Sequence, residues 1–178
     1  MDIVTAHTSQ LPDAELAEVR ELLTVAFEGD FSDEDFEHGL GGMHVLVREG
    51  GALVGHGSVV QRRVVHRGRA LRTGYVEAVA VRADLRRRGI GGRVMAGLEE
   101  VIGRAYVLGA LSASEEGAGL YAGRGWRAWP GRIGALGPGG PVRLPEEEGS
   151  TYLWTPPGGA VPDPAGELWF DWRDGDVL

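Results

Sequence analysis

The 178-residue chain is long enough for one domain with a core that needs no disulfide bonds. It contains no cysteine, which excludes thiolate nucleophiles, thiolate metal sites and disulfide frameworks, and all 18 basic residues are arginine, which excludes a catalytic lysine. The formal net charge is -8, and arginines are concentrated between residues 62 and 93. This distribution suits an anionic cofactor and a cationic second substrate, and it argues against general nucleic-acid binding. The length of the chain predicts a single domain over residues 1–178.

The chain shows no feature of a secreted or membrane protein. Its first residues lack a basic region followed by an apolar run, and no stretch approaches the roughly 18 apolar residues of a membrane span. The absence of cysteine is compatible with a reducing compartment. We expect a cytoplasmic protein with no membrane partner.

The first predicted elements are a strand and two helices. Residues 3–7 suit a short strand, and apolar residues on one face predict a helix over residues 12–27. A second, short helix is expected after Ser32, because Ser32 and Asp35 have the spacing of a capping box. Glycine at position 39 would end this helix.

Three antiparallel strands should follow. Alternating apolar and β-branched residues predict strands over residues 43–48, 52–66 and 70–82. The first two are joined by a glycine turn at 49–51, and the last two by a turn at 67–69. The third strand leads directly into the most distinctive segment of the chain.

That segment is a strand, a glycine-rich loop and a helix over residues 76–102. Valines predict a buried strand, and the apolar spacing becomes helical from residue 90 onward. Glycines allow several backbone N–H groups to point into one concavity at the start of a helix, where the helix dipole and nearby arginines favour phosphate. Candidate contacts to a diphosphate are Arg86, Arg87, Arg88, Gly89, Ile90 and Gly91.

Two other phosphate-binding motifs do not fit this loop. The loop lacks the lysine of a Walker motif, and no G-x-G-x-x-G opens the helix as in a Rossmann fold. An arginine-rich loop that only softens the start of a helix, without binding a ligand, remains the alternative.

The second half of the chain predicts further strands around a short helix. The apolar run at 105–112 should lie parallel to the strand that precedes the helix, because crossover connections place it there. A short helix is expected near 115–123. Residues 130–145 are rich in glycine and proline and are predicted to form a loop, whereas strands are predicted at 151–154 and 168–172.

Two motifs and the order of these elements resemble the GCN5-related N-acetyltransferase (GNAT) superfamily. The motif R-x-x-G-x-G is present as Arg86, Gly89 and Gly91, and the segment from Leu120 to Trp126 resembles the superfamily's L-Y-x-x-x-G-F/W segment. The resemblance implies an α/β (α+β) fold, with a mixed, mostly antiparallel central sheet that is splayed between two parallel strands and flanked by helices. It also implies acetyl-CoA as the cosubstrate, without a metal.

A closer resemblance extends from about residue 23 to the end of the chain. The segments A-F-E-G-D-F, H-G-L-G-G-M-H, Y-V-L-G-A-L-S-A-S and D-W-R-D-G-D-V are similar to those of aminoglycoside 2'-N-acetyltransferases. By position, the resemblance implies CoA contacts at Val79, Ala80 and Val81 and in the loop described above. It implies antibiotic contacts at Asp30, Asp35, Glu77, Ala78, Ser112, Glu146, Glu147, Asp176 and the terminal carboxylate of Leu178.

The chain departs from this family at two places. The family often has aspartate where Glu146 and Glu147 stand, and a terminal tryptophan where this chain has Leu178. These departures affect the expected shape of the sugar pocket but not its negative charge.

The candidate catalytic residues follow from the steps of acetyl transfer to an amine. Glu77 is expected to act as general base, directly or through water, with a solvent-facing strand glutamate as the alternative. Backbone N–H groups at 79–81 could bind the thioester oxygen if the strand splays or bulges there. Tyr121 is the expected proton donor to the departing thiolate, with a packing aromatic as the alternative. His44 and His56 are expected to be satisfied core or surface imidazoles rather than catalysts.

The resemblance implies transfer of acetyl from acetyl-CoA to the 2'-amino group of aminoglycoside antibiotics, by direct attack of the amine on the thioester, in a homodimeric enzyme of antibiotic resistance or modification. Two alternatives remain open. One is acetylation of another cellular amine, such as a cell-wall amino sugar or a polyamine. The other is a catalytically silent acyl-CoA-binding module.

Overall fold

The computed structural model describes all of residues 1–178, as ten strands, four α helices and three short 3-10 turns. The helices are α1 (Asp13–Ala26), α2 (Asp33–Gly39), α3 (Ile90–Ala105) and α4 (Glu115–Ala122). The strands are β1 (Asp2–His7), β2 (Met43–Glu49), β3 (Ala52–His66), β4 (Arg69–Val81), β5 (Leu108–Ser112), β6 (Arg127–Ala128), β7 (Ile133–Gly137), β8 (Gly140–Arg143), β9 (Thr151–Trp154) and β10 (Leu168–Asp171). The predicted α/β class is confirmed.

The chain divides into two units, Met1–Val60 with Val76–Val101, and Gln61–Tyr75 with Ile102–Leu178. Strands β3 and β4 and helix α3 each contribute one part to either unit, because the three boundaries between the units fall within them. The single domain expected over the whole chain stays a prediction.

In the first unit, β2 pairs antiparallel with β1 and with β3. The side of α1 that carries Val19 and Leu23 packs in one buried cluster with Leu46 of β2 and Ala80 of β4. Burying one valine or leucine side chain, such as Val19 or Leu23, stabilises the fold by roughly 2 kcal/mol. The predicted periodicity of α1 and the predicted β2–β3 hairpin are therefore confirmed.

In the second unit, β4 and β5 pair in parallel from Thr73 opposite Leu108 to Tyr75 opposite Ala110. This confirms the parallel neighbours that the crossover rule predicted. Strand β9 pairs antiparallel with β5 and β6, while β10 pairs antiparallel with β3 and parallel with β7. The predicted strand at 151–154 has the bounds of β9.

The loop predicted over residues 130–145 is wrong, because most of it forms the antiparallel hairpin of β7 and β8. Its glycines gave a turn signal, yet Gly134 is needed for packing: a Cβ atom at this position would lie 2.4 Å from the ring of Trp169 on β10. Strand formation here depends on the neighbouring strands rather than on local propensity. No local sequence pattern specifies that pairing.

None of the helices combines the length and apolar character needed to cross a membrane.

Candidate active site

The predicted phosphate loop lies between the end of β4 and the start of α3, in the first unit. A 3-10 turn at Ala83–Leu85 leads into the loop, where Arg87 and Gly89 have left-handed φ angles of 59° and 80°. The first hydrogen bond of the helix runs from the N–H of Arg93 to the carbonyl of Gly89 at 3.2 Å. The N–H groups at 90–92 precede it and belong to the turn whose donors a helix leaves unsatisfied.

The electrostatics of this helix start suit an anion. No acidic residue lies in the first turn of α3. Arg87 and Arg88 are exposed, and a guanidinium nitrogen of Arg88 lies 4.0 Å from the carboxylate of Glu49. Arg86 contacts the backbone instead, donating to the carbonyls of Val81 at 3.5 Å and Ala26 at 3.4 Å. The residues present therefore fit a diphosphate, with Arg86 bracing the loop.

The strand that carries Glu77 is irregular at the next residue. Ala78, near the C-terminal end of β4, has a left-handed φ of 50°. This conformation costs an alanine about 1–3 kcal/mol and persists only where the surrounding structure imposes it. A left-handed residue inside a strand is typical of a bulge, which reorients the neighbouring peptide groups. Binding of the thioester oxygen by the N–H groups at 79–81 depended on a splay or bulge there, and the left-handed residue lies one position earlier, at Ala78. Glu77 and Val79 flank it.

Two buried histidines connect this irregularity to the end of β1. His56 Nδ1 lies 3.0 Å from the carbonyl oxygen of Ala78, and His56 Nε2 lies 3.0 Å from Nδ1 of His44. His44 Nε2 in turn lies 2.8 Å from the hydroxyl of Thr8. The sequence prediction of satisfied core imidazoles is correct, but their connection to Ala78 has no local sequence signal.

Both imidazoles are held in the neutral form. Burial, and secondarily the proximity of His7, lowers the pKa of His44 to about 4. Burial, followed by the influence of His44, lowers the pKa of His56 to about 3, while the hydrogen bond to Ala78 acts in the opposite direction. Each ring therefore has one donor and one acceptor nitrogen at neutral pH.

The second unit brings two predicted antibiotic contacts together. Ser112 at the end of β5 donates from its hydroxyl to Oε2 of Glu147 at 2.7 Å, and Ser150 donates to the same oxygen at 3.1 Å. The Ser150 hydroxyl also lies 3.1 Å from the main-chain carbonyl oxygen of Glu147, so its single proton is shared between the two oxygens, while Thr151 donates to that carbonyl at 3.0 Å. The neighbouring Glu146 is exposed on the same 3-10 turn. The carboxylate of Glu147 is thus oriented by hydroxyl groups rather than by a cation.

Tyr121 lies near the end of α4 and is buried. Its ring is tilted against Trp126 and Tyr152, with centroids 6.3 Å away in both cases. Burial raises the pKa of the phenol to about 12, so the hydroxyl keeps its proton throughout the neutral range. The hydroxyl therefore has the protonation state that a proton donor needs, while the ring packs against its aromatic neighbours. The interpretations of Tyr121 as a proton donor and as a packing aromatic are thus compatible.

The C-terminal segment is tied down within the second unit. The buried Arg62 donates from Nε to the carboxylate of Asp171 at 2.8 Å and from Nη1 to the carbonyl of Val177 at 2.7 Å. Arg62 also donates to the main-chain carbonyl of Asp171. Arg173 holds the carbonyl of Asp176 at 2.9 Å, and Leu178 is buried. The segment with the predicted contacts Asp176 and Leu178 is therefore ordered by arginines that the sequence prediction did not single out.

Asp30 and Asp35 lie in and after the loop between α1 and α2. Asp30 is exposed, and its N–H donates to the carbonyl of Phe27 at 2.9 Å. The predicted capping box is confirmed, since Asp35 accepts from the N–H of Ser32 at 2.8 Å while Ser32 accepts from the N–H of Asp35 at 3.1 Å. Asp35 thus caps the helix. The antibiotic contacts of both aspartates stay predictions, as do the roles of the other site residues.

Comparison with known proteins agrees with this geometry. The family described as acetyltransferase (GNAT) domain matches residues 7–128. An aminoglycoside 2'-N-acetyltransferase of Mycolicibacterium fortuitum is 48% identical over 173 residues, which cover 96% of this chain and 89% of the relative.

Solved structures with low sequence identity share the fold. The GNAT family N-acetyltransferase YhbS from Escherichia coli, solved in complex with CoA, has a TM-score of 0.64 at 16% identity and covers 95% of this chain and 88% of its own. Eis1 from Mycobacterium abscessus is longer: the match, with a TM-score of 0.61 at 22% identity, covers 72% of this chain but 32% of that chain. The chain therefore belongs to the GNAT acetyltransferase family and is a relative of the aminoglycoside 2'-N-acetyltransferase.

Proposed function

We propose that the protein transfers the acetyl group of acetyl-CoA to the 2'-amino group of aminoglycosides. The observation that carries this proposal is the 48% identity to an aminoglycoside 2'-N-acetyltransferase over 96% of the chain. The site residues are consistent with it, because the chain supplies an anion-binding helix start and carboxylates suited to a polycation.

Acetyl-CoA would supply a thioester that an amine can attack. The N–H groups at the start of α3 would hold its diphosphate, while Arg87 and Arg88 add positive charge from exposed positions. The left-handed φ angles at Arg87 and Gly89 support this proposal, because such angles allow neighbouring N–H groups to point into one concavity. The main-chain N–H of Val79 is proposed to donate to the carbonyl oxygen of the acetyl group, as in other oxyanion sites.

Glu77 is proposed as the general base. Its half-buried carboxylate lies directly before the left-handed Ala78 on β4. It would accept a proton from the substrate ammonium, directly or through water, so that the amine regains its lone pair. Tyr121, which is protonated at neutral pH, would donate its phenolic proton to the departing sulfur and regain a proton from solvent before the next turnover.

The acidic residues are proposed to bind the amino sugar. Glu147 is oriented by Ser112 and Ser150, and Asp176 lies on the segment that Arg62 and Arg173 hold. Asp30, Asp35, Glu146 and the terminal carboxylate of Leu178 complete the proposed set. Carboxylates are expected here because several ammonium groups of one ligand must be neutralised.

The regiochemistry of acetylation tests the proposal. Purified protein is incubated with acetyl-CoA and either tobramycin, which has a 2'-amine, or kanamycin A, which has a hydroxyl at that position. We expect acetylation of tobramycin at the 2'-amine by NMR and no equivalent product from kanamycin A. Acetylation only at the 6' or 3 position would refute the assignment, and higher kcat/KM for a polyamine or cell-wall amino sugar would favour a different cellular amine.

Two further parts of the proposal concern assembly and location. We propose a homodimer, which analytical ultracentrifugation would test through the mass of the particle. A cytoplasmic location is also proposed, and cell fractionation would test it.

A further inference from the structure

The hydrogen bonds through the two buried histidines can run in one direction only. The carbonyl oxygen of Ala78 accepts, so the nitrogen of His56 that contacts it, Nδ1, must carry the proton. A neutral His56 then accepts at Nε2, and His44 must donate from its Nδ1 across the 3.0 Å contact. His44 Nε2 is left as an acceptor for the hydroxyl of Thr8 at 2.8 Å.

Thr8, which directly follows β1, is the last side chain in this series of hydrogen bonds. Its hydroxyl accepts from the N–H of Gly41 at 2.9 Å, and it has one proton to give. The contact to His44 at 2.8 Å is shorter than the contact to the carbonyl of Gly42 at 3.2 Å, so the proton is assigned to His44. A continuous series of hydrogen bonds thus runs from donor to acceptor through Gly41, Thr8, His44, His56 and Ala78.

Ala78, at the acceptor end of this series of hydrogen bonds, lies beside the residues that are proposed to take part in acetyl transfer. Ala78 separates Glu77 from Val79, and it has a φ angle that an extended strand would not give. Its side chain packs against the buried cluster that contains Leu46 and Ala80. A rotation of the Ala78 backbone toward ordinary strand geometry would change the direction of both neighbouring peptide groups.

We propose that His56, oriented by His44 and Thr8, is a positioning residue that holds the Ala78 carbonyl and thereby directs Glu77 and the N–H of Val79 toward the reacting groups. The inference rests on the proposed function for its catalytic consequence, but the structural role can be tested without it. His56 and His44 do not act as acids or bases here, because burial keeps both rings neutral.

The chain offers a matched control in His66. This residue is also buried on β3, and its Nδ1 also contacts a backbone carbonyl, that of Glu167, at 3.0 Å. Its Nε2, however, is buried without a hydrogen-bond partner, so it belongs to no extended chain. A variant of His66 therefore reports the cost of losing a buried imidazole and its carbonyl contact away from Glu77.

The first test is independent of activity. With 15N-labelled histidine, NMR at neutral pH should show His44 and His56 both protonated at Nδ1, the less common tautomer in water. Backbone shifts of Ala78 should report a left-handed φ in the wild type and in His56→Asn, whose amide nitrogen keeps a donor near the position of Nδ1, but an extended φ in His56→Leu. Protonation of either ring at Nε2 alone, or an unchanged Ala78 in His56→Leu, would overturn the proposal.

The second test measures turnover with tobramycin, normalised to folded protein. We expect His56→Leu to lose at least about tenfold in kcat while the Kd for CoA and the KM for tobramycin change less than about threefold. His56→Asn should recover most of the loss, and His66→Leu should retain wild-type kcat despite lower stability. Equal losses of kcat in His56→Leu and His66→Leu would show that His56 contributes only as a buried core residue and has no positioning role.

The two tests separate the two proposals. A wild-type protein that does not acetylate tobramycin refutes the proposed function, whereas the NMR readout of Ala78 still decides whether His56 holds the carbonyl. A wild-type protein that is active, with His56→Leu equally active, refutes the positioning role alone.

Discussion

At the residue scale, Glu77 is the group whose replacement is most informative about the chemistry. Glu77→Gln keeps the shape of the side chain but cannot accept a proton, so kcat should fall about a hundredfold. The Kd for CoA should remain close to the wild-type value, because the diphosphate contacts are proposed for the loop at 86–91 and not for Glu77. Steady-state kinetics and calorimetry measure both, with the exposed Glu21→Gln as control. Unchanged kcat would remove Glu77 from the mechanism.

Tyr121 is tested by removing one oxygen atom. Tyr121→Phe keeps the buried ring and its contacts to Trp126 and Tyr152 but removes the proton that the departing sulfur needs, so kcat should fall about a hundredfold. Tyr106→Phe is the matched control, since burial also raises the pKa of Tyr106. If both variants lose the same activity, the phenol of Tyr121 has no specific role.

The two buried histidines also predict how stability depends on pH. Their pKa values, about 4 for His44 and about 3 for His56, are below the value of about 6.5 expected in the unfolded chain. Between pH 6.5 and 4 the unfolded chain therefore binds more protons at these sites than the folded chain, with a difference of about one proton at pH 6.5 that approaches two near pH 5. The free energy of unfolding must therefore decrease as the pH falls through this range. Urea unfolding at a series of pH values measures this slope. A free energy of unfolding that stays constant from pH 6.5 to 5 would contradict the neutral buried pair.

At the element scale, the start of α3 depends on a left-handed glycine. Gly89 has φ 80° and nothing within 4 Å of an added Cβ, so Gly89→Ala should act only through the backbone. We expect a loss of about 1–2 kcal/mol in the free energy of unfolding. The Kd for CoA should rise about tenfold, which corresponds to about 1.4 kcal/mol, as the loop N–H groups turn away.

Gly103 provides the control on the same helix. It also has nothing within 4 Å of an added Cβ, but its φ is not left-handed. Gly103→Ala should therefore raise the free energy of unfolding by about 0.5–1 kcal/mol and leave CoA binding unchanged. Calorimetry and urea unfolding check both variants. Equal CoA affinity in Gly89→Ala and Gly103→Ala would show that the loop geometry does not determine binding.

At the scale of the whole molecule, charge should govern the encounter with an aminoglycoside. The net charge of -8 attracts a polycation over a distance that salt reduces to about 10 Å at 0.1 M. We expect kcat/KM for tobramycin to fall steeply as ionic strength rises, while kcat at saturation changes little. A substrate with one amine should show a weaker salt dependence. A kcat/KM that does not respond to salt would exclude electrostatic attraction as a determinant of specificity.

Local chemistry explains why several features could be predicted from the sequence. The capping box of Ser32 and Asp35, the periodicity of α1 and the loop before α3 are each formed by residues a few positions apart. Their geometry is set by side-chain and backbone preferences within one turn. The order of the elements around them was sufficient to predict the GNAT fold, and the family comparison confirms it.

The sequence by itself determined where the glycine-rich loop before α3 lies, which residues are acidic, and which segments repeat with helical or strand spacing. Only the tertiary structure decided the β7–β8 hairpin, the contact of His56 with the carbonyl of the left-handed Ala78, and the hydrogen bond between Ser112 and Glu147. The physical reason is separation along the chain: His56 and Ala78 are 22 positions apart, and Ser112 and Glu147 are 35 apart. Such contacts form when strands pair, and no local preference of either residue specifies its partner.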